Sequence, residues 1–508
     1  MSLAERCGAH SPAREAACAS VLQQVRDAGL QQVRVAWADL QGQHRCKTLP
    51  VADAAGQAAL AAALQGGIGM VSTLLLKDSS DRTALPVFEA GALAAVPGLA
   101  GYGAANNVLL LPVPESFTVL PWAPQVGWLR AEPWWPDGRP VAADPRRVLQ
   151  QALAELAAFE GAGLTLRCGL ELEFHVHRIT DDGLAAEGPA AGAWPAEAPA
   201  LRHTHPGWQL LSEARTDACD DILQTVQRTA LGLGLPLRSL EIEMGPSQFE
   251  AVFAPTDALT AADQALAFRN GLRQALRRAG YHASFACKPP LAGSVGSGWH
   301  LHQSLVDGQG RNAFMPQAAG RSERPAHDAQ RWLSPTGANW LAGLLAHARG
   351  LTALCAPSIP AYARYQGGVM APRAAVWGRD NRGAMLRVVG HDAADQADTA
   401  TRIENRLAEP LANPYLMLAG QVFAGLHGLR AALPAAAGTE TPYDPAHPAL
   451  PATLDEALTA LAADPVLMQG LGAPMAAVYT AVRRQELARH AAATDKTGWE
   501  RREYFARS

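Results

Sequence analysis

The chain has 508 residues, is 48% hydrophobic by composition and carries a formal net charge of −4 at pH 7. This length predicts roughly two to four domains with a large buried core, and the lack of a basic signature argues against nucleic acid as a partner. Because no stretch approaches about eighteen consecutive strongly apolar residues, and charged residues interrupt the N-terminal segment, we expect a soluble, cytoplasmic protein without a membrane partner.

The N-terminal part of the chain predicts a small α+β unit. A helical pattern comes first, and strand-like alternation follows at Val33–Leu40 and at Val108–Val113. A polar turn that begins at Asp137 then marks a domain boundary. We therefore predict one domain over residues 1–138 and a second over residues 139–508.

The second domain begins with a predicted helix for which Asp144 is the N-cap residue. A further helix is predicted near 217–233, and a polar excursion over 181–200 is predicted to form a surface loop. The spacing of Thr260 and Asp263 predicts a capping box at the start of a third helix.

Between these helices, Leu164–Val176 alternates strictly between apolar and polar residues, which predicts a strand. Glu171 and Glu173 lie on its polar face, with backbones roughly 6.6 Å apart at a rise of ~3.3 Å per residue. Two neighbouring like charges are consistent either with a solvated outer face or with a divalent cation site. Both interpretations stay open for this strand alone.

Acidic and histidine side chains recur in later segments, and two of these segments repeat the two-residue spacing of Glu171 and Glu173. Taken singly, each can be a solvated or hydrogen-bonded group, but together they indicate a carboxylate-lined site for Mg²⁺ or Mn²⁺. The side chains concerned are Glu241, Glu243, Glu250, His300, His302 and Glu404.

Arginines are concentrated in one later segment of the chain. They can form a salt-bridged surface, or they can bind carboxylate and phosphate oxygens, for which the planar guanidinium is well suited. Beside an acidic metal site, the second alternative suggests a nucleoside triphosphate that transfers phosphate to an anionic acceptor. No P-loop or Rossmann motif is present. The arginines are Arg364, Arg373, Arg379, Arg382, Arg387, Arg402 and Arg406.

A series of motifs occurs in the same order as in the glutamine synthetase family, bacterial type I branch, and the chain resembles this family across nearly its whole length. The motifs are Asp39-Leu-Gln-Gly-Gln-His-Arg45, Glu171-Leu-Glu-Phe174, Glu243-x6-Glu250, Gly296-Ser-Gly-Trp-His300-Leu-His302, Asn381-Arg-Gly-Ala-Met-Leu-Arg387, Arg402-Ile-Glu-Asn-Arg406 and Thr497-Gly-Trp-Glu500. The resemblance implies an α+β fold, with an N-terminal β-grasp domain and a catalytic domain built on a curved antiparallel sheet. It also implies a homo-oligomer, a dodecamer of two stacked hexameric rings.

The resemblance further implies two or more Mg²⁺ or Mn²⁺ ions, ATP and glutamate at one site. One metal ion would be held by Glu173, Glu243 and Glu250, and the other by Glu171, His300 and Glu404. The residues implied along ATP are His302, Ser304 and Arg402. The implied catalytic arginines are Arg364, Arg382, Arg387 and Arg406; Arg382 and Arg387 neutralise the transferring phosphate, while Arg364 and Arg406 hold glutamate together with Gly296.

The chain departs from the family where the amine is bound. Met370 takes the place of the flap glutamate that helps to deprotonate ammonium, and the N-terminal loop over Gly67–Thr73 lacks the expected aspartate. A cationic amine would be bound poorly in a pocket without a counter-charge, whereas an aromatic amine is already neutral at pH 7. Met370 is also a side chain type that often contacts aromatic rings.

These departures favour an aniline-like acceptor in the amine pocket around Met370 and resemble the γ-glutamylanilide synthetases. The expected enzyme is a glutamate–amine ligase that acts through γ-glutamyl phosphate. Three alternatives stay open from the sequence: a γ-glutamylpolyamine or alkylamine synthetase, a glutamine synthetase that uses ammonia, and a non-catalytic sensor of glutamate or nucleotide.

Overall fold

The computed structural model combines helices with two β-sheets, which confirms the predicted α+β class. The predicted surface loop over 181–200 lies largely outside the described residues. Those residues are 1–183, 194–316, 323–367, 370–390 and 399–507.

The first sheet has the strand order β2-β1-β6-β4-β3, with β5 paired to β6. Its strands β1 and β6 are parallel, and the other neighbouring strands are antiparallel. All its strands precede the predicted domain boundary at residue 138, which itself stays a prediction. The strands are β1 (Gln32–Ala38), β2 (His44–Pro50), β3 (Ile68–Val71), β4 (Asn107–Pro112), β5 (Thr118–Leu120) and β6 (Ala123–Trp134).

The second sheet has the order β13-β14-β15-β12-β7-β10-β9, and β8 and β11 also pair with β7. Its long central strand β7 buries the alternating apolar residues that the sequence predicted, and Phe174 stacks on Phe249 of β10. The strands are β7 (Thr165–Asp181), β8 (Ala200–His203), β9 (Leu237–Ile242), β10 (Gln248–Asp257), β11 (Tyr281–Ser284), β12 (Trp299–Val306), β13 (Trp377–Arg379), β14 (Leu386–Val389) and β15 (Arg402–Ala408).

Helices cover the second sheet and form much of the main core. Helix α11 is buried along most of its length and packs against α4, α8 and α13. The helices are α1 (Leu3–Arg6), α2 (Pro12–Asp27), α3 (Ala54–Gly66), α4 (Pro145–Ala158), α5 (Glu213–Ala218), α6 (Asp220–Gly232), α7 (Ala258–Arg278), α8 (Pro335–Ala346), α9 (Ala348–Cys355), α10 (Tyr362–Gly367), α11 (Pro414–Arg430), α12 (Leu454–Ala462), α13 (Pro465–Ala492) and α14 (Lys496–Glu500).

Two of the predicted helix starts differ in detail from the structure. Asp144 does precede α4, but its side chain accepts a hydrogen bond from Trp37 instead of capping the helix. The capping box at Thr260 and Asp263 was wrong, because Asp257 at the end of β10 caps α7 by accepting from the Thr260 N–H at 3.0 Å. Asp263 instead lies inside α7 and pairs with an arginine of α4.

A buried arginine joins the two sheets. Arg269 of α7 donates from Nη2 to the backbone oxygens of Gln41 and Gly42 in the β1–β2 turn, and from Nη1 to Pro410 and Ala412 ahead of α11. Gly42 has φ 70°, and a Cβ there would lie 1.9 Å from the Arg269 Nη2 atom. The turn therefore needs glycine both for its backbone conformation and for this close approach.

One described helix, α13, is long and apolar enough to cross a membrane when only its length and composition are considered, and 39% of its most apolar stretch is buried. Core helices of globular proteins can have the same length and composition. Non-helical backbone at Gly472 divides α13 into two segments, and Pro474 follows directly after the break. The helix is therefore weak evidence for a membrane.

Candidate active site

The register of β7 with its two neighbours brings the predicted site residues together. Glu171 lies opposite His300 of β12, and Glu173 lies opposite Glu250 of β10. Directly opposed residues on antiparallel strands have Cβ atoms only ~4.5–5.5 Å apart. The alternation of β7 therefore aims both carboxylates at partners of the predicted kind.

The next strand, β15, extends the same surface. Glu404 lies opposite His302 of β12 and opposite Arg387 of β14. The buried Glu404 carboxylate accepts a hydrogen bond from Arg387 Nη1 at 2.7 Å, and it is also paired with Arg406 Nη1. Two of the predicted arginines are thus fixed next to a predicted metal ligand.

Potential ligand atoms of the site lie within 4.8 Å of one another in overlapping groups of three. One group matches the set predicted for the second metal ion in full. The set predicted for the first ion is divided between two groups that share Glu250, and one of these groups includes Glu241, to which the resemblance assigned no metal ion. The groups are Glu171 with His300 and Glu404, Glu173 with Glu250 and His300, and Glu241 with Glu243 and Glu250.

The electrostatics of Glu173 and Glu250 indicate that a cation belongs beside them. Burial, followed by the negative charges of the other carboxylates, raises the pKa of both groups above the ordinary glutamate range. Among the described residues, the buried Oε1 atom of Glu250 has no hydrogen-bond partner. A divalent ion would both neutralise this repulsion and satisfy that oxygen, and the donors suit Mg²⁺ or Mn²⁺.

Glu404 is held in its ionised form. Burial disfavours its charge, but the charge that His300 carries when it is protonated in acid, followed by the charges of Arg406 and the other cationic groups, outweighs that effect and holds the pKa of Glu404 at about 2. Burial, followed by the charge of Arg406, lowers the pKa of His300 to about 4. Its imidazole is therefore neutral at pH 7, which is the form that binds metal ions.

His302, which the resemblance implies along ATP, supports Glu171 in the structure. Its Nδ1 atom lies 2.9 Å from the Arg402 Nε atom, which can only donate, and its Nε2 atom lies 2.8 Å from a Glu171 oxygen. Nδ1 is therefore the acceptor and Nε2–H the donor. Ser304 follows two positions further along β12.

The implied glutamate residues lie side by side. Arg364 is buried and donates to the backbone oxygens of Ala408 and Arg406. A Cβ on Gly296 would lie 3.1 Å from the Arg364 side chain, so this position leaves little room for a larger residue. Gln248 was not predicted as a site residue. Its Nε2 atom donates a hydrogen bond to the Glu173 carboxylate at 2.9 Å and so orients a predicted metal ligand.

Most of these groups line a cleft with a volume of about 680 Å³, whereas Glu404, His302, Ser304 and Arg402 are not among its lining residues. Met370 lies at its edge with φ 70°, and its N–H donates to the Tyr443 hydroxyl at 2.7 Å. Residues 368 and 369 of the flap lie outside the described part of the chain. The predicted site residues that line the cleft are Glu171, Glu173, Glu243, Glu250, Gly296, His300, Arg364, Met370, Arg382, Arg387 and Arg406.

The lining also contains side chains that no sequence motif marked. Trp208, Leu210 and Leu211 follow β8 in a segment without regular periodicity. Glu241 was found on the polar face of β9, but the resemblance assigned it no role. Its carboxylate accepts a hydrogen bond from Ser239 at 2.9 Å and faces the cleft.

Comparisons with known proteins agree with this geometry. Residues 142–504 match the protein family described as "Glutamine synthetase, catalytic domain". A γ-glutamylanilide synthase from an Acinetobacter species is 35% identical over 497 residues, covering 96% of this chain and 95% of that protein. The γ-glutamylethanolamide synthetase GlnA4 of Streptomyces coelicolor is 34% identical over 411 residues, covering 80% of each chain.

The fold has a close counterpart among solved structures. A structure described as a GmaS/ADP complex superimposes with a TM-score of 0.73 at 28% sequence identity. The similarity covers 95% of this chain and 98% of that one. The likeness therefore extends over both sheets and the helices between them.

Proposed function

The chain belongs to the glutamine synthetase family, and we propose that it is the ATP-dependent ligase that joins the γ-carboxylate of L-glutamate to an aromatic or hydrophobic, aniline-like amine. The products would be γ-glutamylanilide, ADP and phosphate. The observation that carries the choice of amine is Met370, an apolar side chain at the cleft where family members that use ammonia have a flap glutamate. The similarity to a γ-glutamylanilide synthase supports it.

In the first step, the γ-carboxylate of glutamate would take up the γ-phosphoryl group of ATP. Arg364 and Arg406 would hold glutamate, and Arg382 and Arg387 would offset negative charge on the transferring phosphoryl group. Mg²⁺ or Mn²⁺ bound to the carboxylates and His300 would supply further charge neutralisation. We propose two or more ions for the site.

In the second step, the amine nitrogen would attack the γ-carbonyl carbon of γ-glutamyl phosphate. A carbon–nitrogen bond forms, the carbon–oxygen bond to phosphate breaks, and the nitrogen loses one proton, for which the departing phosphate is the acceptor. An aromatic amine is neutral at pH 7 and needs no deprotonation before it attacks. The replacement of the flap carboxylate by Met370 is compatible with such a nucleophile, whereas ammonium would lack its counter-charge.

An alkylamine acceptor is the second candidate, and Glu241 is the observation that favours it. Its carboxylate faces the cleft and could balance the charge of an aliphatic ammonium group. The similarity to a γ-glutamylethanolamide synthetase points in the same direction. However, a carboxylate oxygen of Glu241 lies within 4.8 Å of carboxylate oxygens of Glu243 and Glu250. A metal ion bound there would neutralise the charge of Glu241, which would then not be available to an ammonium group.

A panel of amines tests the proposal. The protein is incubated with ATP, Mg²⁺ or Mn²⁺, glutamate and one of aniline, chloroaniline, ethanolamine, putrescine or ammonium, and both ADP and the γ-glutamyl product are quantified. We expect the highest kcat/KM for the anilines. Turnover with ammonium or putrescine but not with anilines would contradict the aromatic acceptor, and no turnover with any amine would favour a non-catalytic sensor.

We also propose that the protein is cytoplasmic and forms a homo-oligomer, a dodecamer of two hexameric rings. Size-exclusion chromatography with light scattering tests this assembly. A monomer at micromolar concentration would contradict it.

A further inference from the structure

Large apolar side chains are unusually exposed at the mouth of the catalytic cleft. Trp208 is 71% exposed, Leu211 60% and Leu210 47%, and Met370, which lines the same cleft, is 41% exposed. Large apolar side chains that gather in one concave place commonly mark a binding site. These side chains line the same cleft as the carboxylates and arginines of the proposed reaction. A substrate bound against them would therefore lie beside the reacting groups.

The backbone of this segment is held in an unusual conformation. Trp208 and Leu211 have φ angles of 59° and 56°, a region that bulky side chains seldom adopt. Gly207 precedes them with φ 69°, and a Cβ there would lie 2.6 Å from the backbone nitrogen of Pro246. Backbone strain of this kind is concentrated at ligand-binding sites. The surrounding structure therefore imposes the conformation of these residues.

Backbone hydrogen bonds attach the segment to the strand that carries the acidic residues. The N–H of Trp208 donates to the oxygen of Met244 at 2.7 Å, and the N–H of Leu211 donates to the oxygen of Ile242 at 3.0 Å. Met244 directly follows Glu243, a proposed metal ligand. The position of the indole is thus coupled to the reacting centre even though its side chain is exposed.

We propose that Trp208, Leu210 and Leu211, together with Met370, form the surface that binds the hydrophobic part of the acceptor amine. Trp208 is the main specificity-determining residue, because an indole presents a flat apolar face to a planar ring. This inference rests on the proposed function and names the residues that select the amine. The ring of a neutral aromatic amine would bury apolar surface against these side chains, whereas a small cationic amine would gain little from them.

Variants of Trp208 test the proposal in the full-length protein. We expect Trp208→Ala to raise the KM for aniline by about tenfold or more, and Trp208→Phe, which keeps a planar ring, to stay within about threefold of the unchanged protein. The KM values for glutamate and ATP should stay within about twofold in both variants, because the residues proposed to hold these two substrates lie on other segments of the chain. Phe88→Ala is the matched control, since Phe88 is 81% exposed and lies outside the cleft lining.

Thermal unfolding and solution mass accompany the kinetics. Because Trp208 is exposed, neither should change in Trp208→Ala. An unchanged KM for aniline, or an equal rise in all three KM values, would overturn the inference, and so would a change of oligomeric state without a change in the KM for aniline. If the unchanged protein itself fails to turn over any aniline, the proposed function is contradicted instead, so the two failures are distinguishable.

Discussion

Glu250 lies directly opposite Glu173 on the antiparallel strands β10 and β7, so that two carboxylates with little access to solvent face each other. Burial raises the pKa of both groups, followed by the charge of Glu243 for Glu173 and by the charge of Glu173 for Glu250. Such a pair is stable as two anions only when a cation lies between them. The pair of carboxylates at the proposed metal site is therefore electrostatically unfavourable without a metal ion.

Replacing one carboxylate of this pair should separate stability from metal binding. We expect Glu250→Gln to leave the metal-free protein as stable as before or more stable, by about 1–2 kcal/mol at pH 8, because the repulsion is removed. The increase in Tm on addition of Mn²⁺ should shrink, and activity should be lost. Differential scanning calorimetry with EDTA and with Mn²⁺ measures both effects. Glu89→Gln, at an exposed site, is the control, and an unchanged Mn²⁺ response in Glu250→Gln would contradict the metal role.

Glu404 should be essential for phosphoryl transfer to every acceptor. The substitution Glu404→Gln removes a ligand that is grouped with Glu171 and His300, and it removes the carboxylate charge that pairs with Arg387 and Arg406. We expect a loss of ADP formation of about 10³-fold or more with each amine, because charge neutralisation supports the first step. Burial also predicts a loss of stability of about 3 kcal/mol. ADP release at the normal rate would refute this role.

Met370→Glu tests whether the missing flap carboxylate decides the choice of amine. We expect kcat/KM for ethanolamine and ammonium to rise about tenfold relative to aniline, because the added carboxylate supplies a counter-charge. Met370→Gln has a similar length without the charge and is the matched control. If Met370→Glu leaves the ratio unchanged, other residues of the cleft determine the preference.

A buried histidine predicts how stability depends on acid. Among the described residues, neither ring nitrogen of His177 has a hydrogen-bond partner, and burial, followed by the charge of His175, lowers its pKa to about 2. Below pH 6.5 the unfolded chain therefore binds a proton that the folded chain does not. The free energy of unfolding should fall by about 1.4 kcal/mol per pH unit from this group alone as the pH is lowered from 6.5.

Urea unfolding between pH 5 and pH 7 measures that dependence. His177→Phe keeps an aromatic ring and should reduce the loss of stability at low pH, whereas His10→Phe at an exposed position should not. An equal pH dependence in all three proteins would contradict the assignment to His177.

Much of the site could be predicted because strand alternation is a local property. It placed Glu171 and Glu173 on one face of β7, but it could not show that Glu173 faces Glu250, since register depends on which residues of two distant strands pair. The capping box at Thr260 failed for a local reason, because the helix begins three residues earlier. Asp257, the last residue of β10, caps the start of α7.

The apolar part of the cleft could not be predicted from the sequence. Trp208 and Leu211 belong to no periodic pattern, and their left-handed backbone is imposed by hydrogen bonds to residues that follow more than thirty positions later. Glu241 was identified on a polar face, yet its proximity to Glu250 depends on the pairing of β9 with β10. Contacts between distant segments therefore decide which side chains line this part of the cleft.

A competition assay tests the central claim most directly. The protein is given ATP, Mg²⁺ and glutamate with equal concentrations of aniline, ethanolamine and ammonium, and the γ-glutamyl products are quantified by mass spectrometry. The proposed function predicts that γ-glutamylanilide predominates, with one phosphate released per molecule formed. Predominance of glutamine or γ-glutamylethanolamide would contradict it.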